Sequence, residues 1–348
     1  MCTLSTLVMA VTAPSCVPSV PAQSPLPIQQ IPRTTLAKIE DSKGKLAAIG
    51  ALVRYSTNQA YFILQHVDSA LSKKAVTLYT PDEVTPLNFR IDSIEDEIPD
   101  RTFMPMYIQV HHNPDHRLVI EHLIDNLAEN TLGRQNLELK KNVTIDVFDS
   151  DGDEYLRDNA GFMVTDRLQL HQITVDAQQM LRVLQLTSDV KVEEITEQKG
   201  REQLQEYDGS LSAHNRAEFL DFLYSQSKVY MARWTGAGPS KENIVQSKGQ
   251  QLTPVSNVAG YICVSRADQR VLCLYAENES VAEALFAHHL KQSRAKNAIF
   301  CSSRNHWAKL QSLGSFKSRV IYRRHTRAVP SNVKWDRIFS INVGMNLF

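Results

Sequence analysis

The stretch MYIQVHHNPDHRLVIEHLIDNL (residues 106–127) divides into a strand over 106–112, a short polar turn and a helix over about 116–130. A strand that delivers the chain to a helix start is a layout that holds phosphate, because the free N–H groups of the first helical turn face the ligand. Such turns are normally rich in glycine, which lets the backbone approach closely. This one has Pro114, Asp115, His116 and Arg117, and no glycine. Three readings stay open on these residues: a phosphate cradle, a metal site, or a former cradle.

Around it, 348 residues with 43% hydrophobic content suit two domains, each able to build a core. Lys+Arg and Asp+Glu both number 38, so no global field draws in nucleic acid or an anionic membrane. No run approaches the ~20 apolar residues of a membrane helix. Cys263, Cys273 and Cys301 lie in apolar, strand-like runs without a C-x-x-C pair, as buried thiols of a reducing compartment do. Cytoplasmic residence is therefore expected. Secretion is the alternative, since MCTLSTLVMAVTAPSCVPSVPAQ has a short apolar segment, although no Lys or Arg precedes it. Residues 1–35, dense in proline and serine, are expected to be a disordered tail.

From there the pattern predicts a mixed α+β (α/β) chain. TLAKIEDSKGKLAAIGALVRYS gives two strands around a turn at Ser42–Gly44, and AYFILQHV continues the sheet. Segment 70–105 is expected to be loop with short elements. NVTIDVFDS is a strand, DEYLRDNAGF a short helix ended by Gly161-Phe162, and MVTDRLQLHQITV a strand. A bridge follows over 176–200, with the boundary near 172–192. Beyond it Ser212 is expected to cap AHNRAEFLDFLYSQ; KVYMARW, VAGYICVSR and QRVLCLYA are strands, and ENESVAEALFAHHLKQSRA is a helix. NAIFCSS is a strand, NHWAKLQSLGSF a helix, and KSRVIYRRHTRAV and RIFSINVGMNLF close as strands. The order of elements repeats at about 150-residue spacing, which suggests two copies of one domain, at 36–175 and 201–348.

Several constellations fall to simpler explanations. FDSDGDEYLRD resembles a calcium loop, but Val147 stands where the first ligand belongs, and a strand precedes it. His111 and His112 point to opposite faces of a strand and His288 and His289 diverge on a helix, so no metal site is assigned. YRRHTR (322–327) is the one compact basic cluster, and strand alternation suggests a solvated edge.

The strings MPMYIQVHHNPDHRLVIEHLIDNL, VTIDVFDS and LRDNAGF together resemble the core of GNAT-type N-acetyltransferases. Pro114 and Arg117 match that family's turn, and Gly161-Phe162 its closing element. YDGSLSAHNRAEFLDFL, VAGYICVSR, LYAENESVAEALFAHHL and SLGSF resemble the second GNAT-like domain of a tandem subfamily. The resemblance covers about residues 40–348. It implies two GNAT-like domains, each a mixed twisted sheet with helices on both faces. It also implies acetyl-CoA as acyl donor, with Val110, Arg117, Leu118, Val119, Ile120 and Glu121 in the cofactor-binding positions, and a small-molecule or peptide amine as acceptor.

This chain departs from the family where phosphate would sit. After Arg117 it has Leu118, Val119, Ile120, Glu121 and His122 in place of glycines, and Glu121 sets a negative charge beside the diphosphate position. The second copy has Glu277 and Glu279 and no glycine. The family's acid is often a tyrosine before Gly-Phe; Arg157 holds that place, with Tyr155 nearer the helix start, and Leu310 holds it in the second copy. No catalytic residue is assigned. Three readings follow: an N-acetyltransferase, a non-catalytic binding or scaffolding protein on the same fold, and an unrelated α+β protein.

Overall fold

The structure is a computed structural model, and it describes residues 28–71, 74–81, 87–95, 117–133, 141–148, 154, 156–157, 161–236, 257–303, 307–313 and 316–341. The strand expected over 106–112, Val110 on it, Tyr155 and the acidic turn 149–153 lie outside the described residues.

Order begins earlier than the expected tail allows. Ile28 and Ile31 are buried, in a 3-10 turn and just after it, because they pack into a core that both halves share. β1 (Thr34–Glu40), β2 (Leu46–Ser56) and β3 (Gln59–Val67) form an antiparallel meander. Its first turn is fixed by Asp41, whose carboxylate accepts from the Lys43 and Lys45 amides at 2.8 Å, and by Gly44 at φ 79°. The segment expected as loop with short elements carries two strands, β4 (Ala75–Tyr79) and β5 (Asn88–Glu95), which pair with each other; β5 continues the sheet parallel to β1. β6 (Arg117–Leu118) pairs with β4 and leads into α1 (Val119–Leu132). Leu123, Ile124, Leu127 and Leu132 recur on one face of α1 and are buried over β1, β2 and β3.

β7 (Asn142–Val147) runs parallel to β3, from Gln59↔Asn142 to Phe62↔Ile145. Residues 156–157 are helical; Gly161 has a φ of 76°, which suits glycine, and the Phe162 amide returns to the Leu156 carbonyl at 3.0 Å. β8 (Val164–Thr165) and β9 (Leu170–Asp176) follow. The expected bridge is itself structured, as α2 (Ala177–Val183) and β10 (Val190–Glu194).

The second half begins with two helices, α3 (Gln198–Gly209) and α4 (Ala217–Gln226). Ser212 does not cap α4: its hydroxyl accepts from the His214 amide, and it bridges Val333. β11 (Ser227–Trp234), β12 (Val258–Ser265) and β13 (Val271–Ala276) make a second meander. Gly260 is needed there, since a Cβ would lie 2.5 Å from the Tyr275 carbonyl oxygen. α5 (Glu279–Gln292) and β14 (Asn297–Ser303) follow; NHWAKLQSLGSF gives a 3-10 turn at Ala308–Ser312, then β15 (Lys317–His325) and β16 (Ile338–Ser340).

The last long strands cross between halves. β15 pairs antiparallel with β7 of the first half, β9 pairs antiparallel with β14 of the second, and β9 and β15 pair with each other. An eleven-stranded sheet results, with a five-stranded sheet ordered β10-β11-β12-β13-β16 beside it. α1 covers the outer face of the first meander and α5 that of the second. The opposite faces, carrying Val53, Tyr55 and Tyr61 on one side and Met231, Tyr261 and Tyr275 on the other, share one core with α3 and α4. No helix among the described residues is long and apolar enough to cross a membrane, and Cys263, Cys273 and Cys301 are buried free thiols, as expected.

Candidate functional site

Three places bring chemistry-bearing groups together. The first is the start of α1, which holds five of the six residues assigned to acetyl-CoA. Leu118, Val119 and Ile120 are buried among the aliphatic side chains beneath the helix. Glu121 is also buried, and its carboxylate accepts from the Leu118 amide at 2.8 Å. The Arg117 guanidinium pairs with Asp125, one turn further along. His122 reaches the Val76 carbonyl at 2.9 Å and so ties α1 to β4. A diphosphate placed here meets the Glu121 carboxylate, which the Leu118 amide holds at the helix start. As folded, this helix start does not fit the group.

The equivalent start, at α5, is built differently. The Asn278 side chain accepts from the Val281 amide at 3.0 Å, and Asn278, Glu279 and Ser280 are exposed. Glu277 pairs with Arg337 at 2.8 Å. Beside it, β13 and β14 are separated by β16. β16 pairs with β13 (Leu274↔Ser340, Tyr275↔Ile338), and the Ile341 amide donates to the Cys301 carbonyl of β14 at 2.9 Å. The Phe339 carbonyl accepts from the Trp307 indole at 3.1 Å and from the Ser302 hydroxyl.

The third place is the seam where β15 meets β7. Arg323 and Asp146 face each other in register, 4% and 1% exposed, in a two-pronged contact of 2.7 and 2.8 Å. The guanidinium also lies over the Tyr61 ring. His325, next but one, joins Thr144 at 2.8 Å and Asp166 at 3.3 Å. Burial alone would raise the Asp166 carboxyl, but the His325 contact and the Arg323 charge outweigh it and hold it below its usual range. Burial pushes the nearby Tyr55 phenol up to about 12. YRRHTR is therefore no solvated edge: Arg323, Arg324 and His325 are all buried, because the strand inserts between two others. The available signal was Asp146, an acid inside the apolar run VTIDV.

Among the described residues no group of His, Cys, Asp and Glu converges as metal ligands do. The family model of a domain of unknown function, DUF7596, matches residues 18–164. No curated protein matches the sequence. Among solved structures, "A Putative Acetyltransferase" from Pyrococcus horikoshii is similar at TM-score 0.50 and 12% identity, over 86% of this chain and 76% of that one. A GCN5-related N-acetyltransferase from Sphaerobacter thermophilus is similar at TM-score 0.45 and 8% identity, over 88% and 80%. At these identities the likeness is one of fold: a mixed α+β arrangement with a large mixed sheet.

Proposed function

We propose that this chain is an acetyl-CoA-dependent N-acetyltransferase-like protein, built from two GNAT-like copies that exchange their last long strands and acting on a small-molecule or peptide amine. The fold likeness to the Pyrococcus structure, spanning both halves, carries this reading. The repeated run of meander, helix, strand and crossing strand supports the tandem arrangement. Buried free thiols suit a cytoplasmic setting. For Arg117 to meet the diphosphate of CoA, it must exchange Asp125 for phosphate.

A second reading, a non-catalytic binding protein on the same fold, is favoured by two observations. Glu121 occupies the α1 start, and β16 fills the space between β13 and β14. Thermal unfolding of the full chain with and without acetyl-CoA separates the two. At about a hundred times its dissociation constant a ligand stabilises by ~2.7 kcal/mol, a shift of several degrees. A shift abolished by Arg117→Ala supports the first half as the CoA site. A shift that survives the substitution moves the site to the second half. No shift at millimolar acetyl-CoA sinks the transferase reading.

A further inference from the structure

β10 (Val190–Glu194) is the outermost strand of the five-stranded sheet, and among the described residues no strand lies beyond it. Its pairing with β11 fixes which backbone groups face outward. The Thr235 amide donates to the Asp189 carbonyl at 2.8 Å and the Ile195 amide to the Val229 carbonyl at 2.9 Å, in the register of Lys191↔Arg233 and Glu193↔Met231. Hydrogen-bonded pairs alternate along an antiparallel ladder, so Asp189, Lys191, Glu193 and Ile195 bond inward. The N–H and C=O groups of Val190, Val192 and Glu194 then point away from the sheet, and no described residue bonds them. The side chains alternate too. Val190, buried, and Val192, half-buried, pack on the α5 side. Lys191 and Glu193 take the other face, 74% and 38% exposed. That face opens on a cavity of about 470 Å³, lined among others by Glu193, Glu197, Lys199 and Arg233. Arg233 is already held by Glu193, Asn257 and Gln203.

We propose that β10 joins β10 of a second copy of this chain, antiparallel about a two-fold axis at Val192, so that one sheet runs through the dimer. In that register Val192 faces Val192, Val190 faces Glu194, and Lys191 faces Glu193 on both sides of the axis. It is the register that pairs the whole strand. Val192 falls in a hydrogen-bonded pair, and Lys191 with Glu193 in a non-hydrogen-bonded one, where side chains approach most closely, with Cα atoms ~4.5 Å apart. Within one chain the Lys191 ammonium reaches the Glu193 carboxylate at 3.7 Å from two positions away along the strand. Across the axis the same two charges stand directly opposite, and the cavity leaves the second copy's lysine room beside Glu193. A lysine in an edge strand usually guards against pairing. Here the guard is selective: moving the axis by one residue sets Lys191 against Lys191 or Glu193 against Glu193. Leu186, 62% exposed in the connection that leads into β10, is an apolar side chain for such an interface to cover. The dimer does not depend on acetyl transfer.

The test is sedimentation equilibrium of the full chain from a few micromolar to several hundred micromolar. A short edge makes a small interface, so a monomer–dimer equilibrium should appear within that range. Lys191→Glu, at an exposed position, should weaken the dimer about tenfold, because two symmetry-related attractions become repulsions. Val192→Cys should form a disulfide-linked dimer on mild oxidation, since a residue on the axis meets its own copy at a Cα separation of ~5.5 Å, within disulfide reach. Lys191→Cys, off the axis, should crosslink no more than the parent chain. The proposal is overturned by a monomer at several hundred micromolar, even one whose edge takes an extended peptide. It is equally overturned by a dimer that Lys191→Glu leaves unchanged, or by Val192→Cys crosslinking no better than Lys191→Cys.

Discussion

Each half contains a three-stranded meander, a helix and a following strand, yet the two close their sheets in opposite ways. In the first, β3 and β7 pair directly over four residues, and the next strand beyond β7 is borrowed from the other half. In the second, β13 and β14 do not pair; β16 is laid between them. The first closure is anchored by charge, through Asp146 and Arg323, the second by apolar side chains, Ile338, Phe339 and Ile341, with two donors on one carbonyl. A strand contributed from far along the chain needs something to fix its register, and a buried two-pronged ion pair is satisfied in only one register. A terminal strand that fills a gap needs mainly to fit it.

The largest expected effect tests that contrast. Arg323→Met leaves Asp146 charged and unpaired inside the sheet, which should cost about 3–5 kcal/mol in urea unfolding. Asp146→Leu combined with Arg323→Met should recover most of the loss, since the pair then becomes apolar at similar volume. A single-substitution cost under ~1 kcal/mol would mean that water reaches the seam, and the charge would then not be what fixes the strand.

Acid should act mainly on the second half. On α5 His289 is buried, and burial lowers its pKa to about 4, with the charges of His288 and Lys228 adding to the fall and the Gln269 backbone contact opposing it. The unfolded chain binds the proton near pH 6.5 and the folded chain does not, so stability is full above 6.5 and falls as pH drops toward 4. The loss from this group is about 3 kcal/mol over that window. Trp234, Trp307 and Trp335, the three tryptophans, all lie in the second half, so their fluorescence follows its unfolding. His289→Gln should flatten the pH slope between 6.5 and 4. An unchanged slope would assign the acid sensitivity elsewhere.

What the sequence made legible follows from the range of each signal. The meanders, α1, α5 and the buried cysteines come from alternation and helical spacing, which act within a dozen residues. Three features did not come through. β4 and β5 lie in a stretch without clean alternation, since Ser93, Glu95 and Ile94 all face solvent. The pairing of β15 with β7 and of β9 with β14 joins strands more than a hundred residues apart, and no local pattern specifies such partners. The buried Asp208–Arg216 pair was hidden because an acid near the end of one helix and an arginine just before the next look like surface residues until the fold buries them. In the helix start, Glu121, expected beside a phosphate position, accepts from the Leu118 amide.

That last point yields the smallest and most discriminating comparison. Asn278→Ala removes a neutral cap from an exposed helix start and should cost about 1 kcal/mol. Glu121→Gln keeps an acceptor for the Leu118 amide and removes only the charge, so its cost should be about 0.5 kcal/mol or less. The useful readout is the ratio of these effects with and without acetyl-CoA. A carboxylate that blocks a diphosphate site becomes a liability once the ligand is present, so Glu121→Gln should then stabilise relative to the parent chain, and Asn278→Ala should not. If neither substitution changes the response to acetyl-CoA, the α1 start is a structural cap alone, and its resemblance to a cradle is one of shape.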